Sequence, residues 1–250
     1  MVRPAVQLPP TPECDRPLAD LIERAAAAGF EGAEFAAGTE EADAYAVRSA
    51  MEETGLDAVG AHVSIHRLGE DTEATVGFYR SLGCDRFVVP GIPPERFETE
   101  RAVETAAQRL DGLAVALTEY GVTVHYHDRG HEFADFGART AYEYLIDTTE
   151  HVGFDLDAAS ALAAGLDPAD LRTQLGDRAP LFHPTDYDGE TGDRVPLGRG
   201  DLDLAACVEA HAAGGGTWMI HEHERAPGPS DGVGFDAAMA DAARLLGASP

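Results

Sequence analysis

The 250-residue chain predicts an α/β fold, a single (β/α)8 TIM barrel running from residue 1 to residue 250. Three observations predict it. Short apolar, β-type runs alternate with Ala- and Leu-rich helical stretches along the sequence, and alternation of that kind builds parallel βαβ units. Four helical stretches close on a glycine just before the next apolar run, at Gly29, Gly55, Gly83 and Gly121, the usual left-handed stop of a helix. Strand and helix signals each recur eight times, the count such a barrel needs.

In chain order, a strand at 2–8 leads to a helix at 18–28 that stops at Gly29. A strand at 32–35 leads to a helix at 40–54, which carries the acidic pairs Glu40-Glu41 and Glu52-Glu53 and stops at Gly55. The strand at 58–62 ends on His62, and the helix at 71–82 stops at Gly83. The strand at 86–89 is followed by a long helix at 98–120, closed by Gly121. The strand at 122–127 ends on His127 and leads to a helix at 138–149. The strand at 152–157 ends on Asp157; the helix at 168–175 begins where Asp167 caps free amides and Pro168 takes the first helical position. The strand at 181–183 ends on His183 and precedes a helix at 203–213. The last strand, 217–222, ends on Glu222 before a helix at 235–246. The longest irregular stretches, 91–97, 128–137, 186–201 and 224–234, all follow strands, the side of a barrel where loops shape a substrate pocket.

Acidic residues outnumber basic ones 45 to 18, the formal net charge is −27, and every basic residue is Arg. That field repels phosphate backbones and anionic lipid, so neither nucleic acid nor a membrane surface is an expected partner. The acids are scattered, as on a solvated folded surface. An acidic, Lys-free, Ala-rich composition resembles that of proteins from salt-loving archaea, where salt screens the self-repulsion. The lack of Lys excludes Lys-based aldolase and pyridoxal phosphate chemistry, because no Schiff base can form. Cys14, Cys84 and Cys207 make no CxxC pair, which argues against a disulfide framework and for a reducing cytosol. The start of the chain has no apolar signal core and no run reaches the ~20 apolar residues of a span, so a soluble cytoplasmic protein is expected.

Five strand-like runs end on residues that bind metals or move protons. In parallel register their ends converge on one mouth. His125 and His127 alternate with Tyr126 and share one strand face; they can begin a metal site, or one can be a buried hydrogen-bonded histidine. Asp155 and Asp157 share a face too, where an interior carboxylate needs a cation or several donors. Asp157, nearer the carboxyl end, is the expected ligand, and Asp155 a structural hydrogen-bond partner inside the barrel. With His183 and Glu222 they form a mixed imidazole and carboxylate set that suits Zn²⁺, Mn²⁺, Co²⁺ or Fe²⁺ better than Mg²⁺ alone. Glu34 and His62 end earlier strands, where they can serve in acid/base transfer or be satisfied polar residues of a barrel mouth. Asp186 can orient a ligand or cap a turn, and Glu132 reaches toward the pocket only if its loop folds inward.

The segments His125-Tyr126-His127-Asp128 with His131-Glu132-Phe133, Phe154-Asp155-Leu156-Asp157 with Ala163-Ala164-Gly165-Leu166-Asp167-Pro168, Leu181-Phe182-His183-Pro184-Thr185-Asp186, Pro196-Leu197-Gly198-Arg199-Gly200-Asp201-Leu202-Asp203 and Trp218 to Glu222 occur in that order. As a set they resemble the xylose isomerase-like barrels of the sugar isomerase and epimerase superfamily. The resemblance spans essentially the whole chain. It implies divalent metal ligands at Asp157, His183 and Glu222, with a fourth from the strand at 122–127, where the chain offers His125 or His127. Relatives of known mechanism have a Glu there, paired with the last-strand Glu as acid and base. Tyr126 stands where the signature has Asn, and Thr185 where it has Lys.

The expected function is therefore that of a divalent-metal-dependent isomerase or epimerase acting on a sugar or sugar derivative through an enediolate. A metal-dependent dehydratase or lyase on a cyclic polyol or keto-sugar and a non-catalytic sugar-binding barrel are the alternatives. Glu222, His127, Glu34 and His62 are the expected catalytic residues, and His125, Asp186 and Glu132 the expected substrate contacts. The cofactor is a divalent ion (Mn, Zn, Co, Fe or Mg) and the partner a small-molecule carbohydrate, with a homodimer left open. A phosphodiesterase of the apurinic endonuclease kind shares this barrel and is disfavoured by the charge.

Overall fold

The computed structural model describes residues 2–8, 16–222 and 232–248. Cys14, His223 and most of the expected loop at 224–234 lie outside the described residues. Eight parallel strands close into a barrel: β1 (Arg3–Leu8), β2 (Gly32–Phe35), β3 (Asp57–His62), β4 (Arg86–Val89), β5 (Thr123–His127), β6 (Val152–Asp157), β7 (Leu181–His183) and, after a two-stranded hairpin of β8 (Asp186–Asp188) and β9 (Asp193–Val195), the closing strand β10 (Trp218–His221). Neighbours run β1-β10-β7-β6-β5-β4-β3-β2, so β10 seals the barrel against β1. This is the (β/α)8 barrel that the alternating pattern predicts.

Local chemistry explains the helix ends. The main helices between the strands are α1 (Leu18–Ala27), α2 (Ala44–Thr54), α4 (Thr72–Ser81), α5 (Glu100–Thr118), α6 (Ala141–Thr148), α8 (Pro168–Leu175), α9 (Leu204–Ala213) and α10 (Gly232–Leu245). α2 begins later than the expected 40–54 because Asp43 accepts from the amides of Tyr45 and Ala46, while Thr39–Glu41 forms a separate 3-10 turn. A capping box of Thr140 and Glu143 opens α6. Asp167 caps α8 ahead of Pro168. Gly29, Gly55, Gly83 and Gly121 all have positive φ, as helix stops require.

Two short helices and the β8/β9 hairpin are additions to the expected pattern. α3 (Ile65–Glu70) follows β3 and α7 (Ala158–Ala163) follows β6 directly, both on the rim. Strand-to-helix connections are thus themselves helical there, which is why periodicity, tuned to elements of at least two turns, does not resolve them. The hairpin folds the expected loop at 186–201 back on itself, pairing Asp186 with Val195 and Asp188 with Asp193.

Side chains pointing out from the strands, among them Phe35, Phe87, Phe154 and Phe182, pack against the helices in one continuous apolar layer. Inside the barrel a small plug of Ala5, Val59, Val88, Leu181, Trp218 and Ile220 fills the lower half. The Arg3 guanidinium lies 4.1 Å over the Trp218 ring and closes the floor. Because side chains alternate along a strand, the next inward positions after Leu181 and Ile220 are His183 and Glu222. The interior changes there from apolar to ionisable. Among the described residues no helix is long and apolar enough to cross a membrane.

Candidate active site at the barrel mouth

The polar layer above the plug takes one residue from, or just past, each barrel strand except β4. Gln7, Glu34, His62, His127, Asp155 and His183 are all buried, and Glu222, just past β10, keeps 27% of its side chain exposed. His183 is the hub: its Nε2 lies 3.1 Å from both Glu34 Oε2 and Asp155 Oδ2, and its Nδ1 lies 3.2 Å from Glu222 Oε2. Asp155 Oδ2 is 3.0 Å from His127 Nδ1 and 3.9 Å from His62 Nε2. Gln7 Nε2 donates to Glu34 Oε2 at 2.9 Å, and His62 Nε2 is 3.2 Å from the same oxygen. The rings of His62 and His127 sit 5.2 Å apart and those of His127 and His183 4.8 Å apart.

Two glycines make room for this layer. A Cβ on Gly60 would stand 2.9 Å from Glu34 Oε1, and one on Gly153 would stand 2.2 Å from His125 Nδ1. His125 therefore lies over Gly153, one pleat below His127 and beneath the polar layer.

Charge follows from this crowding. Burial would raise the carboxyl of Glu34, but the facing charges of His62 and His183 hold it well below its ordinary range. Burial opposes and His183 and His127 favour ionisation of Asp155, which also ends low. Glu222 is held low in the same way, by His183 above all. Burial lowers the basicity of His127 and His183, yet neighbouring carboxylates win: His127 rises to about 9 through Asp155, and His183 rises well above its usual value. His125 behaves oppositely, since burial and the Arg86 charge push it down to about 3. The mouth is thus a strongly anionic field that draws cations, protons included.

Several buried atoms there have no hydrogen-bond partner, although charged groups stand near: Glu34 Oε1, Asp155 Oδ1 and both ring nitrogens of His183. Buried polar atoms left unpaired are costly, and ligand atoms that converge without pairing mark a fit for a cation. Two overlapping groups have ligand atoms within 4.8 Å of one another: His62, His127, Asp155 and His183, and His127, Asp157 and Glu222.

Other expected site residues lie around this layer. Asp157 sits at the rim, where Arg194 of β9 reaches it with Nη2 at 2.9 Å and Nη1 at 3.1 Å. Asp186 is turned into its own loop: its two oxygens accept from the amides of Tyr187, Gly198, Arg199, Gly200 and Leu202. Glu132 accepts from the Tyr126 hydroxyl and from the Arg129 amide at 3.0 Å, bracing the turn after β5. Thr185 donates to Asp157 Oδ2 at 2.8 Å. A cleft beside Glu222 is lined by Thr185, Pro196, Leu197, Arg199 and His221.

Sequence reasoning gives no role to Arg194 or Gln7 and treats Asp155 as structural. Gly189 and Gly192, the first and last residues of a four-residue turn, are the hairpin signal that could have put Arg194 on a strand facing the mouth. Nothing in one strand tells the depth of Asp155 against that of Asp157, because both share a face.

By sequence, no curated protein matches this chain. Among solved structures, a sugar phosphate isomerase/epimerase from Parabacteroides distasonis superposes with a TM-score of 0.79 at 17% identity, covering 100% of this chain and 95% of that one. A 3-keto-D-glucoside 4-epimerase from E. coli superposes with a TM-score of 0.69 at 19% identity, with 100% of both chains covered. A probable 3-DHS dehydratase from Bacillus anthracis has a TM-score of 0.76 at 11% identity, with 99% of both covered. At such identities the likeness is one of fold. The family profile described as xylose isomerase-like TIM barrel matches residues 22–246, and the chain belongs to that family.

Proposed function

We propose that this protein is a divalent-metal-dependent isomerase or epimerase acting on a sugar or sugar derivative. The observation that carries the reading is the convergence of three imidazoles and several ionised carboxylates, with unpaired buried atoms, at the carboxyl ends of the strands. The residues that would hold the ion are the His and carboxylate side chains of the two overlapping groups. A bound divalent cation polarises adjacent carbonyl and hydroxyl oxygens and acidifies the C–H between them.

The chain's own residues supply proton movement and shape. Glu222 is the carboxylate of the polar layer that reaches solvent, and it is held ionised by His183, so it can take a proton from a substrate carbon. Glu34 is anchored through Oε2 by Gln7, His62 and His183, a buried carboxylate placed to pass a proton between the two imidazoles. The apolar floor keeps water from beneath.

A dehydratase on a cyclic polyol or keto-sugar is the second reading. It is favoured by the end of β5, where a buried imidazole, His127, stands against Asp155 in place of a second carboxylate base. Isomerisation and dehydration share the first proton abstraction and differ in where the second proton goes.

The test is solvent deuterium exchange into ketoses, keto-sugars and inososes by the metal-loaded protein, followed by NMR. Exchange or turnover is expected, with a loss of about 10²–10⁴-fold in Glu222→Gln at unchanged fold. Absence of exchange with every compound, together with indifference to Glu222→Gln, would sink the reading.

A further inference from the structure

We propose that the cation is held one pleat deeper than the resemblance implies, by His62, His127, Asp155 and His183, and that Asp157 is withdrawn from metal binding by Arg194. The inference rests on the metal-dependent reading above and selects between its two ligand groups.

The reason is acceptor capacity. A carboxylate has about four lone-pair positions. Those of Asp157 are all engaged by protein donors: Oδ1 accepts from the Ser160 amide at 2.7 Å and from Arg194 Nη2 at 2.9 Å, and Oδ2 accepts from Thr185 Oγ1 at 2.8 Å and from Arg194 Nη1 at 3.1 Å. Arg194 also donates to Ser160 Oγ at 2.9 Å, so the fork is fixed at two residues of the same turn. A bidentate Arg already cancels the charge that a metal would seek at Asp157. Coordination there would require both the hairpin and the Thr185 contact to give way.

Asp155 has the opposite surroundings. It is fully buried, its Oδ1 has no partner, and its Oδ2 faces three imidazoles. Both His183 ring nitrogens are likewise without hydrogen-bond partners. The four side chains come from β3, β5, β6 and β7, strands locked in register by the barrel itself. A site with three nitrogen donors and one carboxylate suits Zn²⁺, Co²⁺, Mn²⁺ or Fe²⁺ and disfavours Mg²⁺. Glu222 is then left to move protons.

The test is titration of the metal-free full-length protein with Co²⁺ alone, read by visible d–d absorption and by calorimetry, with circular dichroism to confirm folding. Asp155→Asn and His62→Gln are each expected to weaken Co²⁺ binding about 100-fold or more and to alter the absorption band. Asp157→Asn and Glu222→Gln are expected to stay within about threefold of the unaltered protein, and excess Mg²⁺ to leave the Co²⁺ spectrum intact. His62→Gln keeps the comparison decisive should Asp155→Asn fail to fold, since His62 belongs only to the deeper group. Loss of Co²⁺ in Asp157→Asn or Glu222→Gln, with retention in His62→Gln, would overturn this assignment while leaving the metal-dependent reading in place. No Co²⁺ binding by the unaltered protein would overturn both.

Discussion

At Gly153 the His125 ring occupies the space a side chain would need, its Nδ1 only 2.2 Å from where a Cβ would stand. The ring is buried under the polar layer. Gly153→Ala is therefore expected to cost about 1–3 kcal/mol by overpacking. Urea denaturation checks this, and a double variant with His125→Ala should cost less than the sum of the two single changes, because the clash is shared. Additive costs would show that His125 and Gly153 do not contend for one space. The same scale decides the chemistry. Asp155 and Asp157 are two residues apart on one strand face, yet one looks into imidazoles and the other into a guanidinium.

At the scale of elements, the packing of α8 on α9 depends on a buried polar joint away from the mouth. Arg172 is fully buried and donates through Nε to His211 Nδ1 at 2.7 Å and through Nη1 to the Gly176 carbonyl at 2.7 Å. Burial, with the Arg172 charge beside it, lowers His211 from its ordinary 6.5 to about 3. Unfolded chain takes up a proton at this imidazole once the pH drops below about 6.5, whereas folded chain refuses it until about 3. Stability from this joint is thus complete above that upper value and falls steadily as the solution is acidified between the two. His125 adds to the same slope. Denaturation midpoints measured from about pH 7 down to 4 should decline, and the decline should be shallower in His211→Gln. An unchanged slope in that variant would mean that the histidine is not held neutral. The hairpin of β8 and β9 works at this scale too: Asp186 holds the segment that follows β9 through the amides of Gly198, Arg199, Gly200 and Leu202, and β9 presents Arg194 to Asp157.

Over the whole molecule the net charge of −27 dominates. Screening shortens from ~10 Å at 0.1 M salt to ~3 Å at 1 M, so self-repulsion between surface carboxylates should fade across that range. The thermal midpoint is expected to rise by roughly 5–10 °C between those concentrations, as relief of a few kcal/mol would give. A flat or falling midpoint in KCl would count against adaptation to a salty interior. The barrel itself was legible from the chain. Glycine stops, capping residues such as Asp167 with Pro168, and apolar runs act over a few neighbouring residues, so strand and helix order can be read locally. The set of strand-end residues could be read as well, because parallel strands in a barrel bring their carboxyl ends to one side whatever the details. Depth, pairing and neutralisation could not. Whether Asp155 or Asp157 meets the imidazoles depends on the register of β6 against β5 and β7, and the partner of Asp157 arrives from a hairpin 37 residues later. Such contacts are set by the closure of the whole barrel, since no stretch of sequence holds both partners within its own reach.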